Sequence, residues 1–423
     1  MNGTVNRLQF LLPLFVLLPS WIFSQDLSLE KVQELARKNY PSIRQKDLIR
    51  KTADLNISNI GKNYLPQLSI NGQASYQSDV TKIDVDFPGV KIDAPSKDQY
   101  KFTADINQLI YDGGATKHQK TLAGLNSKVE DQQVEVELYN LRERINDVYF
   151  GILYTDELIK QAELVAEDLK TGLKKVDAQV QNGVAFRSSS NLLKAELLKT
   201  QQRVVELRSN RKALTSTLAI FIGQPITEES SFKPAASTAD TTRQINRPEL
   251  QLFTNQQALF QQQNKLITAK NLPKTSLFFQ GGYGRPALNL LKNDFEPFYI
   301  TGVRLNWSLS GLYTKKNEKA IVKLNQDIIE AKRETFLMNT NAQLESQQSE
   351  IEKLETLVES DNEIIDLRKS VTTAAKAQLE NGVMTASDYL VEVNAEDQAR
   401  QVLIAHEIQL QQARIKYQTI KGQ

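Results

Sequence analysis

The 423-residue sequence has no cysteine, two histidines, two tryptophans and three methionines, and its 52 basic residues stand against 50 acidic ones for a formal charge of +2. Without cysteine there is no disulfide framework, thiolate metal site, thiol nucleophile or lipid attached through an N-terminal cysteine. The balanced charge leaves no electrostatic footprint for a phosphate backbone, so nucleic acid is not an expected partner. Proline (12) and glycine (18) are sparse, as in long helices with little punctuation. Past the N-terminus no run approaches the roughly 18 consecutive apolar residues of a spanning helix, so any membrane insertion must be by β-strands.

What is present begins with a targeting segment. Arg7 precedes an apolar run from Phe10 to Phe23, followed by Ser24-Gln25 and polar sequence. That order of charged, hydrophobic and small residues predicts a signal peptide over 1–24, cut near Ser24. Pro13 and Pro19 suit a cleaved signal better than an anchor.

The rest of the chain reads as a duplication. Pro41 pairs with Pro248 and Leu65-Pro66 with Leu272-Pro273 at a separation of about 207 residues. Gly113 pairs with Gly311, and Asn182-Gly183-Val184 with Asn381-Gly382-Val383, at about 198 and 199. The predicted division is a first repeat over 25–223, a linker over 224–245 rich in Ser, Thr and Ala, and a second repeat over 246–423. Each repeat holds two strands (about 66–77 and 100–111; about 274–284 and 298–309) and a helical hairpin (114–222; 311–421).

The strands alternate strictly. Leu68, Ile70, Gly72, Ala74 and Tyr76 interleave with polar partners that include Asn71 and Gln73; Phe102, Ala104 and Ile106 interleave with Asp105 and Asn107. In the second repeat Leu277, Phe279 and Tyr283, then Val303, Leu305 and Trp307, oppose Arg304 and Asn306, while Phe278 and Ile300 fall on the polar face. Each segment approaches the roughly 9–11 residues of a tilted membrane strand. Tyr76, Tyr100, Tyr283, Tyr299 and Trp307 share the apolar parity, as an aromatic girdle would. The polar set Asn71, Gln73, Asp105, Asn107, Arg304 and Asn306 is then expected to face a lumen. Four strands cannot close a barrel, so several copies must share one of eight, twelve or sixteen strands. Asp84, Asp86, Asp93 and Asp98 lie in polar sequence between the first two strands, in a spacing that matches no Ca²⁺ loop.

The remainder is helical. Val134, Leu138, Leu141, Ile145, Val148 and Ile152, then Leu169, Leu173, Val176 and Val180, keep the 4,3 spacing of a coiled-coil seam. A continuous helix from Ala115 to Gln181 would be about 100 Å long, and Leu312 to Glu380 matches it. Asp112 and Ser310 suit the N-caps of these helices. Each stops at Asn-Gly, and the returning helices are expected to start from Asn191 and Asp388 as N-caps. The exposed tips, at about 182–190 and 381–387, carry apolar Val184, Val383 and Met384, which points to a partner.

At these residues the chain resembles the outer-membrane efflux proteins, the TolC family. The resemblance rests on Asn246-Arg247-Pro248-Glu249-Leu250, the two Leu-Pro joints, Gln108 to Gly114 at a strand exit, the two Asn-Gly-Val turns and Ser387-Asp388-Tyr389-Leu390. The first tip departs from the pattern: Arg187-Ser188-Ser189-Ser190 carries about two extra residues, and Asn191 stands where the family usually has Asp. The resemblance implies a mainly α protein with a transmembrane β-barrel: a homotrimer whose twelve strands form one barrel in outer-membrane lipid, continued by a periplasmic α-helical barrel. It implies a passive conduit for small molecules or protein, docked through its tips (Asn182, Gly183, Val184, Asn191, Asn381, Gly382, Val383, Asp388) to a periplasmic adaptor and an inner-membrane transporter. It also implies that 224–244 joins the N- and C-terminal segments in a collar around the helical barrel.

An enzyme is the competing class. His118 and His406 lie on polar helical stretches, expected to be solvated, with no second ligand at metal spacing and no catalytic context. No metal, cofactor or catalytic residue is expected. Carboxylates sit among bases at helical pairing distance, Asp156 with Lys160 and Glu330 with Arg333, as on a solvated face. A secreted structural coiled coil or adhesin would explain the helices and the signal, but not four amphipathic strands in duplicated positions.

Overall fold

The computed structural model describes residues 26–81, 94–234, 244–290 and 292–423. The segment expected to be a signal peptide and three of the loop aspartates, Asp84, Asp86 and Asp93, lie outside the described residues.

Strand β1 (Asp26–Leu27) leads into helices α1 (Leu29–Asn39) and α2 (Ile43–Gly61). A short 3-10 turn ends at Leu65, held extended (ψ 152°) before Pro66, and the chain becomes β2 (Gln67–Tyr76) and β3 (Asp98–Tyr111). Then follow α3 (Ala115–Gln181), α4 (Arg187–Ile222) and the short β4 (Ser231–Phe232). The second repeat runs α5 (Pro248–Lys270), β5 (Lys274–Arg285), β6 (Glu296–Asn306), α6 (Gly311–Glu380) and α7 (Ala386–Lys421). Pro248 occupies the first turn of α5, where its missing N–H costs nothing.

The 67 residues of α3 and 70 of α6 make rods of about 100 and 105 Å. Val134, Leu138, Leu141, Ile145, Ile152, Leu169 and Val176 are all buried along the inner side of α3. No described helix is long and apolar enough to cross a membrane.

The four long strands form one antiparallel sheet in the order β2-β3-β5-β6. The repeats thus meet at β3-β5, and β2 and β6 keep unpaired outer edges within the chain. A bulge interrupts β3 between Leu109 and Tyr111.

The largest core lies midway along the helices. Leu27, Leu29, Val32 and Ala36 pack with Ile145, Tyr149, Ile152 and Leu153 of α3, Leu218 and Ile222 of α4, Phe232 and Ile415. β1 and β4 pair in parallel there, bringing Leu27 beside Phe232. The Tyr149 hydroxyl lies 2.8 Å from the Leu27 carbonyl and 2.7 Å from that of Lys233, so one side chain ties two distant segments to α3. A second core, with Leu169, Val176, Leu193, Leu379, Tyr389 and Val393, clamps the two hairpins near their tips.

Several local expectations are corrected. The helix after β3 takes Gly114, at φ +82°, as N-cap, while Asp112 caps from further out: its carboxylate accepts from the backbone N–H of Gly114 (2.9 Å) and Thr116 (2.6 Å) and from Tyr64 Oη (3.0 Å). Burial opposes its charge, yet these hydrogen bonds prevail and hold Asp112 below the usual carboxylate range. Ser310 is the N-cap of α6 but makes no side-chain cap bond; its hydroxyl meets that of Ser308. Gly113 and Gly311 are not equivalent, since Gly113 precedes α3 at φ +71° and Gly311 is the first residue of α6. Asp156 binds Arg211 of α4 (2.5 Å), and Lys160 turns to Glu157 instead, whereas Glu330 does pair with Arg333.

The joint at Asp112 yields a prediction. Asp112→Ala removes the partner of three donors and is expected to cost about 1–2 kcal/mol. Because the folded-state pKa is lowered, Asp112's contribution is present above its unfolded value and is lost as pH falls through the folded one. Thermal melts at neutral and acid pH check this: the deficit of the variant should shrink in acid.

Candidate functional site: sheet faces and hairpin tips

The pleat sorts the sheet into two chemically opposite faces. In register across the four strands, Leu68, Ile106, Phe279 and Thr301 form one row of the apolar face, and Ile70, Ala104, Gly281 and Tyr299 the next. Most of these side chains are exposed, Val303 by 66% and Leu305 by 69%. Apolar side chains presented outward on a sheet that has no second layer among the described residues are matched to a hydrocarbon solvent.

On the other face Asp105 is a hub. It accepts from Asn71 Nδ2 (2.7 Å) and Thr103 Oγ1 (3.1 Å), and Gln280 Nε2 also donates to it, so three strands are linked by one carboxylate. The structure therefore brings Asn71 and Asp105 together. Gln73 stands opposite Lys101, Asn107 opposite Gln67 and Phe278, and Asn306 opposite Lys274. Gln280 was not legible as a partner, because its meeting with Asp105 depends on which strands from different repeats are neighbours.

Phe278 acquires a reason for its polar-face position. Its ring lies across Gly302, where an added Cβ would come within 3.1 Å of it, and the Arg304 guanidinium sits 4.7 Å from the ring centroid. Phe298 repeats the arrangement over Gly282, with Lys101 Nζ 4.9 Å above. Nothing in the structure explains Ile300 on this face.

At the end of the sheet away from the helices, Arg285 pairs with Asp98 and stacks against Tyr100 (5.6 Å) and Phe295 (5.1 Å). Asn293 and Ser96 exchange hydrogen bonds of 2.8 Å, so the sequences following β5 and preceding β3 are tied together.

The two hairpin tips repeat the same backbone bonds through the turn, from Asn182 to Ala185 and from Asn381 to Met384. Gly183 and Gly382 both have φ +72°; their N–H groups reach Val180 and Leu379, and those of Val184 and Val383 reach Gln179 and Gln378. This pair of hydrogen bonds closes a helix through a left-handed residue. The returning helices start four residues after each glycine, with Phe186 and Thr385 as N-caps. The first tip therefore has no extra residues relative to the second. Asn191 lies inside α4, and Asp388 lies in the first turn of α7, its N–H donating to Thr385 Oγ1 (3.1 Å) while Thr385 Oγ1 donates back to its carboxylate (2.7 Å). Asn182 and Asn381 are C-caps.

Val184, Phe186 and Val383 are the exposed apolar residues of the tips, at 72, 82 and 79%. Met384 is not among them, since it packs against the Leu379–Tyr389 core. Phe186 escaped sequence reading because a helix start was expected further along. Lys175 of α3 pairs with Glu380 of α6, and Lys376 with Asp168 (3.3 Å), joining the hairpins. Burial, with Asp168, Glu380 and Glu396 nearby, pushes the Tyr389 hydroxyl up to about 12.

Neither histidine is simply solvated. His118 Nδ1 meets Gln262 Nε2 at 2.9 Å, and His406 Nδ1 meets buried Asp361 at 2.6 Å, bridging α6 and α7. Among the described residues no group of three His, Asp or Glu could hold a metal ion.

An exposed two-solvent sheet standing on helical rods of about 100 Å defines an outer-membrane channel class of fold. The chain is similar to the outer-membrane channel OprN (16% identity, TM-score 0.67, covering 93% of this chain and 90% of that one). It is also similar to the CmeC channel of Campylobacter jejuni (14%, 0.66, 100% and 94%) and to the open MtrE channel of Neisseria gonorrhoeae (16%, 0.67, 93% and 89%). At such identity these establish the fold. No curated protein sequence matches the chain. The family model for outer membrane efflux protein matches residues 32–224, somewhat under half of the chain, which is similar to that family over this stretch. Its place is the outer membrane, with the helices extending into the periplasm.

Proposed function

We propose that the protein is the passive outer-membrane channel of a tripartite efflux or type I secretion system, acting as a homotrimer docked to a periplasmic adaptor and an inner-membrane transporter. The observation that carries this reading is the sheet order β2-β3-β5-β6, with one apolar face, one polar face and two free edges. Edges left open in hydrocarbon cost several kcal/mol per unpaired group, so β6 of one copy must meet β2 of the next. Three copies give twelve strands, with Asn71, Gln73, Asp105, Asn107, Arg304 and Asn306 lining the lumen. The helices agree: α6 bears exposed apolar residues at 3,4 spacing, Ile321, Leu324 and Ile328, then Ile364, Leu367 and Val371, suited to a neighbouring copy. A secreted coiled coil or adhesin has no use for the sheet.

Docking is assigned to the tips, where Val184, Phe186 and Val383 stand exposed at the far end of the rods. Gly183→Val and Gly382→Val are expected to strain each turn by about 1–2 kcal/mol through the left-handed backbone. Nothing lies within 4 Å of a Cβ at either glycine, so no clash spreads beyond the turn. Trimers should therefore form while export falls. Site-specific crosslinking from Val184 and Val383 in cells, with export measured in assembled glycine variants, checks this. Normal export and no adaptor crosslink from either tip would move the docking site away from the tips.

A further inference from the structure

The polar face of the sheet carries more unpaired positive than negative charge. Lys101, Lys274 and Arg304 share this face by register, Gln73 with Lys101, Lys274 with Asn306 and Ser276 with Arg304. None of the three lies within ion-pair distance of a described carboxylate. Of the acids on the same face, Glu296 is neutralised by Lys292 at 2.9 Å, which leaves Asp105, hydrogen-bonded by neutral donors and balanced from a distance by Lys101, so that Lys274 and Arg304 are the cations without a counter-charge. Lys274 and Arg304 are diagonal neighbours at the helix-proximal end of the sheet, several residues along the strand from Asp105. Arg304 is fixed there: Gly302 lets the Phe278 ring lie flat, and the guanidinium rests on that ring.

From this the geometry points to an anion-selective segment in the conduit, with Arg304 and Lys274 as its selectivity-determining residues. The inference rests on the reading of the polar face as a lumen. With one copy of each from every protomer, a band of fixed cations encircles the bore where it meets the helical barrel. A ring of Lys or Arg in a narrow water-filled path with low-dielectric walls raises the local concentration of anions and repels cations. Small inorganic anions, and carboxylate- or phosphate-bearing solutes, would be favoured over cations of like size.

The test is the reversal potential of the purified wild-type protein in planar bilayers under a KCl gradient. A chloride preference is expected, weakening as salt screens the ring. In the double variant Arg304→Gln, Lys274→Gln the reversal potential should shift toward the potassium side, and in Asp105→Asn away from it. Arg304→Lys, which keeps the charge and loses the planar stacking group, should stay close to wild type. If the double variant fails to assemble, Lys274→Gln alone gives the same reading, since Lys274 makes no ring contact. A channel that conducts with a potassium preference, or whose reversal potential is unmoved by the charge removals, overturns this inference and leaves the conduit intact. A correctly folded protein that never conducts overturns both.

Discussion

Arginine in place of Val303 is expected to deplete the outer membrane of assembled protein, at a cost of about 2–4 kcal/mol per copy near the bilayer midplane. Val303 stands opposite Leu277 on the apolar face and is largely exposed, so a guanidinium there has hydrocarbon as its solvent. Ala104→Arg, in the row with Ile70 and Gly281, should behave alike. In a shared barrel the penalty is repeated in every copy, so assembly should respond more steeply than one substitution in a monomer would. Asn107→Arg is the contrast. Asn107 lies on the polar face beside Gln67, where a cation remains in water, so trimers should form and single-channel conductance should change instead. Outer-membrane yield and the trimer fraction in detergent check the pair. Equal damage at Val303 and Asn107 would mean that the faces are assigned the wrong way round.

Truncation of Tyr149 should have the largest effect among core positions. The residue has no exposed surface, and its ring makes edge contacts with Phe150 (6.1 Å) and Phe232 (5.5 Å). Tyr149→Ala leaves a cavity between α3 and the β1-β4 pair and is expected to cost about 3–5 kcal/mol. Tyr149→Phe keeps the ring but leaves the Leu27 and Lys233 carbonyls without their shared donor, at about 1–3 kcal/mol. Burial pushes the Tyr149 hydroxyl well above the usual phenol range. Since the folded-state value is raised, its contribution is complete below the unfolded pKa and is lost as pH rises through the folded one. The deficit of Tyr149→Phe should therefore be constant across neutral pH and narrow only in strong alkali. Thermal melting measures both variants, and limited proteolysis of the N-terminal segment should report its release from α3, with the sheet still assembled.

Local periodicity carried a large share of this architecture. A strand's side chains alternate with period two, so the two faces around Leu68, Ile106 and Val303 could be sorted without knowing which strands are neighbours. The seam along α3 and the left-handed turns at Gly183 and Gly382 were legible for the same reason, since each depends on residues within a few positions of one another. Where the returning helices begin was less so. Asn191 and Asp388 are good capping residues, yet the backbone bonds of the turn start each helix earlier, at Phe186 and Thr385, and Asp388 serves from inside the first turn.

By itself the sequence determined the helix lengths and the two-faced character of the strands, both of which follow from spacing along the chain. Only the tertiary structure decided the order β2-β3-β5-β6, the convergence of Asn71, Thr103 and Gln280 on Asp105, the Arg304–Phe278–Gly302 stack, and the choice of Arg211 over Lys160 by Asp156. It also decided that Leu27 and Phe232 meet on Tyr149. These partners come from different elements, several of them from different repeats. Which of many chemically equivalent donors reaches a given acceptor is set by strand neighbours and helix packing, and composition and periodicity are the same for every pairing that was not chosen.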